Sequence, residues 1–241
     1  MDISDRMKFY EDDSKFIPGL PIIVRLDGRN FHNYTKEMAK PYDQYLFKLF
    51  DKTTTSLMES TNAVWGYTQS DEISLMLIGD WRSQFYFGGK IQKLVSVIAS
   101  ECTYFFNNIA EKPAQFDCRC FQVPSIEEAK NYLIWRDMDA TRNSIQMAAR
   151  SQFSDSQLFK KSTDELIKML ANIGIYWQDY PARFRYGGYF YRSKREMPVP
   201  PQVYNNNPEY KEGDTYWRTI IDVVPEVDRN ERISHLFREL T

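Results

Sequence analysis

The sequence predicts an α+β fold: a palm-like, ferredoxin-like βαββαβ antiparallel sheet with helices on one face, followed by a C-terminal helical and β-arm extension. Short apolar runs at 20–26, 63–67, 73–78 and 116–123 read as strands, and two long stretches with apolar residues at helical spacing lie among them. Their order along the chain is β-α-β-β-α-β, the split arrangement in which the first and third strands run antiparallel, side by side, at the centre of a four-stranded sheet.

Each element has a local reason. Leu20 to Leu26 form a compact apolar run. From Pro41 to about Ser60, Leu46, Leu49, Phe50, Thr53 and Leu57 recur at helical spacing. Pro41 suits a first helical turn, where its missing N–H would be unpaired anyway. Ala63–Tyr67 and Ile73–Ile78 form a hairpin around the polar Thr68-Gln69-Ser70-Asp71. A stripe of Ile91, Leu94, Val95, Ile98, Cys102, Phe105, Phe106 and Ile109 marks a helix laid on the sheet, and Phe116–Val123 closes the series. Ser125-Ile126-Glu127-Glu128 and Ser162-Thr163-Asp164-Glu165 are capping boxes that open two more helices, with Gly174 suited to end the second. Gly187–Arg192 reads as a β-arm, Met197–Pro208 as a linker or exposed loop, Tyr216–Val224 as a strand and Asp228–Leu240 as a terminal helix. The palm-like catalytic domain is therefore expected over 1–135 and the extension packed on it over 136–241.

A chain of 241 residues that is 42% hydrophobic can bury a substantial core. No apolar run approaches bilayer length, and the acidic start (Asp2, Asp5, Glu11, Asp12, Asp13) lacks a signal peptide's basic flank, so a cytoplasmic protein with no membrane partner is expected. A net charge of −2 argues against bulk, non-specific nucleic-acid binding. Basic residues do cluster locally: Arg183, Arg185, Arg192, Lys194 and Arg195 lie among Tyr186, Tyr189, Phe190 and Tyr191. Such a segment can meet a phosphate backbone, or it can simply bury its rings on one strand face and solvate its arginines on the other. Cys102, Cys118 and Cys120 read as reduced core residues, and with only His32 and His235 no usual zinc site can be assembled. A hard metal on carboxylates fits better.

Topology supplies those carboxylates. Asp27 ends the first strand and Asp71 precedes the third, so antiparallel pairing brings them to one sheet edge. Crowded carboxylates repel and raise one another's pKa, and divalent cations turn that cost into binding. Two Mg2+ ions held there would grip a nucleoside triphosphate. Gly28 permits close backbone approach, and Arg29, Asn30 and His32 add polar side chains where the chain leaves the sheet. Glu72, one residue beyond Asp71, is expected on the opposite face unless the turn rotates it. Lys40 is a candidate phosphate contact, and Asp43 a first-turn acid favoured by the helix dipole. Asp117 and Arg119 lie opposite Phe116 and can face a ligand or each other. Arg136, Arg142 and Arg150 share one helix and are RNA-contact candidates set against the default of a solvated face.

These residues also carry a resemblance. RLDGRNFH at 25–32, KPYD at 40–43, YTQSDEISL at 67–75, FDCRCFQVPS at 116–125, YLIWRDMDATRNSI at 132–145 and GIYW at 174–177 resemble, in order and spacing, the tRNA-His guanylyltransferase family and its bacterial and archaeal 3′-5′ RNA polymerase relatives. The resemblance covers most of residues 5–192. It implies a Mg2+-dependent nucleotidyltransferase that adds nucleotides, GTP preferred, to the 5′ end of tRNA through 5′-adenylylated or guanylylated RNA. The implied partners are tRNA, GTP and ATP, and the implied assembly is a homotetramer. Carried over residue by residue, Asp27, the Gly28 carbonyl and Asp71 would bind two Mg2+ ions. Arg29, Asn30, Phe31, His32 and Ser70 would contact the nucleotide, with Glu72 supporting the site; Lys40 is the candidate phosphate contact named above. Beside these, Arg119, Arg136, Arg142, Asn143, Arg185 and Arg192 are candidate tRNA contacts. Eukaryotic members carry His-Ile-Asn-Asn, tied to the histidine anticodon, where this chain has Thr141-Arg142-Asn143-Ser144. Their Arg-Lys-Gly segment is matched here by Arg185-Tyr186-Gly187. Both departures favour the bacterial-type branch and template-directed repair of 5′-truncated tRNA. The alternatives are a tRNA-His-specific guanylyltransferase, a nucleotide cyclase on the same palm, and a non-catalytic tRNA-binding protein.

Overall fold

The computed structural model describes residues 2–79, 86–201, 209, 211 and 213–237. Its strands are β1 (Ile22–Gly28), β2 (Trp65–Gln69), β3 (Glu72–Leu77), β4 (Phe116–Gln122), β5 (Gly188–Pro198) and β6 (Thr215–Val223). They form one antiparallel sheet in the order β4-β1-β3-β2-β5-β6, so β1 and β3 are neighbours as the β-α-β-β-α-β order requires. Its α-helices are α1 (Ile3–Lys8), α2 (Phe31–Tyr34), α3 (Gln44–Thr61), α4 (Ile91–Asn107), α5 (Ile126–Arg150), α6 (Asp155–Leu158), α7 (Thr163–Asn172), α8 (Ala182–Tyr186) and α9 (Arg229–Phe237).

Strand alternation divides the core. Ile22, Val24 and Leu26 join Leu49, Phe50 and Leu57 of α3 and Leu94, Ile98 and Phe106 of α4. Ile23 points the other way, into a second cluster with Trp65, Tyr67, Met76, Leu133 of α5, and Ile233 and Phe237 of α9. Helices on one face is thus correct for the palm helices α3 and α4, while α5 and α9 cover the opposite face. The apolar runs Ile22-Ile23-Val24 and Leu75-Met76-Leu77 are buried on both sides for that reason. A third cluster joins Ile145 and Ala148 of α5 to Leu166 and Leu170 of α7 and to Phe184 of α8.

Two expected element boundaries move. Helix α3 begins at Gln44 instead of Pro41, because the Asp43 carboxylate accepts from the Tyr45 and Leu46 amides at 2.8 and 3.3 Å and fixes the start there. Positions 135 and 136, where the domain division was expected, are consecutive residues of α5. Met197 and Pro198, expected in a linker, are the last residues of β5 and pair with Tyr216 and Thr215. Residues 202–208 of that linker and 238–240 of the expected terminal helix lie outside the described residues.

A buried acid ties α5, β5 and α9 together. Asp137 of α5 is fully buried and accepts from Tyr189 of β5, from Arg229, and from Arg232 at 2.7 Å. A buried carboxylate is tolerable only when fully paired, and here two guanidinium groups of α9 supply the charge. Burial, helped by this neighbouring acid, pushes the Tyr189 hydroxyl well above its ordinary pKa, so it stays a donor.

Candidate active site

Antiparallel pairing of β1 with β3 places the end of one beside the start of the other. The Gly28 amide donates to the Asp71 carbonyl at 3.0 Å. Asp27 is the register partner of Glu72 on one side and of Asp117 on the other. Directly paired residues share a face, so Asp117, Asp27 and Glu72 form an acidic row across three strands. Asp71 occupies the tight β2–β3 turn behind Ser70, whose φ of 53° is left-handed. Burial is the main cause that lifts the Asp71 carboxyl to a pKa of about 6. Its own backbone amide and the Ser70 hydroxyl pull the other way, and the like charges of Asp27 and Glu72 add to the rise.

Glu72 is arranged differently. One of its oxygens accepts from Arg25 and the other from Arg136. Arg136, expected on an outward RNA-facing surface, is only 2% exposed and also binds Asp139 at 3.1 Å, so the solvent-facing expectation is corrected. Glu72 has turned to the Asp27 side of the sheet, where two guanidinium groups hold it. Its oxygens are committed, which suits a supporting role.

Gly28 is required by packing. A Cβ there would sit 2.2 Å from the Phe31 ring. Phe31 is itself 4% exposed, with ring centroids 5.4–5.8 Å from Phe50, Phe106 and Phe116, so most of it is core. Its remaining edge meets a cavity of about 500 Å3, within the range of small-molecule sites. The cavity walls combine apolar Phe31, Pro41, Leu46 and Met147 with polar His32, Lys40, Ser70, Asp71 and Arg150. Arg29 and Asn30 are not in it. They line a separate polar groove of about 610 Å3 with Asn33, Tyr34 and Gln115.

The other basic positions divide by exposure. Arg119 and Arg142 are exposed, 3.8 Å from Asp117 and paired with Asp139 respectively, and the Asn143 amide also reaches Asp139, at 3.4 Å. Arg185 is largely enclosed by the Tyr180 carbonyl, the Tyr186 hydroxyl and Glu226. Arg192 donates to the Ala63 carbonyl at 2.7 Å and to the Met58 carbonyl, closing the C-terminal end of α3. Sequence reasoning missed that Met147 and Arg150 close the cavity and that Asp117 extends the acidic row. Only the strand register could have shown the second.

Hard oxygen donors are plentiful at this edge: the Asp27 and Asp71 carboxylates and the Gly28 carbonyl. Among the described residues, no three or more His, Cys, Asp or Glu side chains converge as a metal cage. Mg2+ is commonly bound by one or two carboxylates together with substrate phosphates, and this donor set has that form.

The palm sheet, with Asp71 of the β2–β3 turn lining a nucleotide-sized cavity, has the form of a nucleotidyltransferase domain. The chain belongs to the tRNAHis guanylyltransferase family, whose model matches residues 4–124. A bacterial tRNA(His) guanylyltransferase-like protein solved in complex with GTP is 32% identical, with a TM-score of 0.76 over 99% of this chain and 96% of that one. A second such bacterial structure, in complex with ATP, is 37% identical, with a TM-score of 0.75 over 79% of this chain and 88% of that one. The probable tRNA(His) guanylyltransferase of Mus musculus is 31% identical over 148 residues, 56% of this chain and 49% of that protein. This chain therefore matches about half the length of the mouse relative.

Proposed function

We propose that this protein adds nucleotides, GTP preferred, to the 5′ end of tRNA in the 3′-5′ direction, as template-directed repair through 5′-adenylylated or guanylylated RNA. The observation that carries the reading is the junction of Asp27-Gly28 with Asp71, joined by a 3.0 Å backbone hydrogen bond, together with the cavity that Asp71 lines beside His32, Lys40, Ser70 and Arg150 and that Asp27 and Gly28 do not line. Asp27, the Gly28 carbonyl and Asp71 would hold two Mg2+ ions. Bound there, the ions supply Lewis-acid polarisation of phosphoryl oxygens and lower the proton affinity of an attacking hydroxyl.

The chain's own residues do the rest. Lys40 and Arg150 bring cationic groups to the cavity that Asp71 borders, where they can neutralise a triphosphate. Pro41, Leu46, Met147 and the edge of Phe31 offer apolar walls against which a base can pack without base-specific hydrogen bonds, in keeping with use of both ATP and GTP. Arg25 and Arg136 hold Glu72 in place behind the edge.

The test offers full-length tRNA-His and 5′-truncated tRNAs of several identities, each with all four nucleotides and Mg2+. Repair predicts extension of the truncated ends with products complementary to the opposite strand. Extension of tRNA-His alone, by one guanosine, would replace repair with tRNA-His-specific addition.

A further inference from the structure

Trp135 is 51% exposed on α5, although Tyr132 and Arg136 beside it are buried. Its ring lies edge-on to Tyr132, with centroids 5.8 Å apart, and Tyr132 lies edge-on to the exposed Phe121 at 5.7 Å. The Arg136 and Arg25 guanidinium groups are 4.6 and 5.8 Å from the Trp135 centroid. An indole fixed by two cations yet left half in water is an unusual use of a large apolar surface.

Three observations place this ring on the approach to Asp27. Arg25 precedes Asp27 by two residues on the same face of β1, a separation of about 7 Å, or about two base steps of a nucleic-acid strand. The β4 residues paired with Asp27, Arg25 and Ile23 are Asp117, Arg119 and Phe121, and all three are exposed, so α5 leaves this outer part of the sheet face open beside Trp135. Exposed Arg119 and Arg142 accompany the exposed rings, an interleaving of cations and aromatics that suits single-stranded nucleic acid. A second copy of the chain is the poorer occupant, since the buried centre of a protein interface is depleted of charge.

We propose that Trp135 is a stacking platform for an unpaired base at the 5′ end of the RNA substrate. The proposal rests on the RNA-extending function argued above. Stacking on a π-face tolerates every base, which suits the repair of ends that differ in sequence.

The test uses a 5′-truncated tRNA carrying 2-aminopurine as its 5′-terminal base, titrated with the full chain, and reads fluorescence quenching and affinity together. Wild type and Trp135→Phe are expected to quench the probe. Trp135→Leu, which keeps apolar volume without a ring, is expected to lose most of the quenching and to bind about 5- to 100-fold more weakly. Quenching and affinity within twofold of wild type in Trp135→Leu would overturn the proposal. A change in oligomeric mass with unchanged quenching would also overturn it, assigning the patch to a second copy. If wild type binds no RNA, the function beneath the proposal fails as well, whereas RNA extension with Trp135-independent quenching removes this inference alone.

Discussion

Asp137 and Asp71 are both acids drawn out of water beside the same sheet, and they differ in what surrounds them. Asp137 has two arginines and a tyrosine at bonding distance and no exposure. Asp71 has Ser70 and backbone for company, two further acids nearby, and no ion pair among the described residues. Glu72 falls between, on the acidic row but held by Arg25 and Arg136. A carboxylate given its own cations belongs to the framework. One left without them, at the mouth of a cavity, is available to a ligand that brings positive charge.

The comparison breaks most visibly in activity. Asp27→Asn and Asp71→Asn are each expected to lower nucleotide incorporation at least about 1,000-fold, the several kcal/mol that metal-assisted charge stabilisation supplies, with thermal melts showing an intact fold. Asp137→Ala should do the reverse. Removing the acid strands Arg232 in the interior, and urea unfolding should register a loss of about 3–5 kcal/mol.

Stability against pH sharpens the contrast. In metal-free protein the raised pKa of Asp71, about 6 against 3.8, means that folding disfavours its charged form. The group's contribution is therefore most favourable below pH 3.8 and is lost as pH rises through 6. Asp71→Asn should then stabilise the metal-free protein at pH 7 by up to about 3 kcal/mol, and by little at pH 4. Equal effects at the two pH values would show that Asp71 is not held in an unfavourable field. Glu72→Gln is the smallest case: it weakens the bonds to two guanidinium groups, and a loss of about 1–3 kcal/mol in stability should accompany any fall in incorporation.

Much of this was legible in the chain. Helical and alternating spacing located the six palm elements, and their order alone set β1 beside β3, which brought Asp27 to Asp71 across more than forty residues of sequence. The fate of the sheet's second face was not legible, because the helical spacing of Ala129, Tyr132, Leu133 and Ala140 in α5 and of Ile233, Leu236 and Phe237 in α9 marks a buried face without saying what that face meets. Arg136 reads like any arginine on a helix; only the fold shows that Glu72 lies opposite it. Phe31, carried over as a nucleotide contact, is mainly a core ring whose edge reaches the cavity, and Gly28 is small because that ring lies against it. Arg29 and Asn30, three and two residues before His32, diverge from it at the left-handed Asn30, where φ is 59°.

The central claim is that Asp27 and Asp71 act as one site. It is tested most directly by a double-substitution cycle on Mg2+-dependent GTP binding, measured by calorimetry with wild type, Asp27→Asn, Asp71→Asn and the double variant. Shared metal coordination predicts that each single change removes most of the Mg2+-dependent affinity and that the double change removes little more. Losses that add in full, or affinity that survives both substitutions, would contradict it.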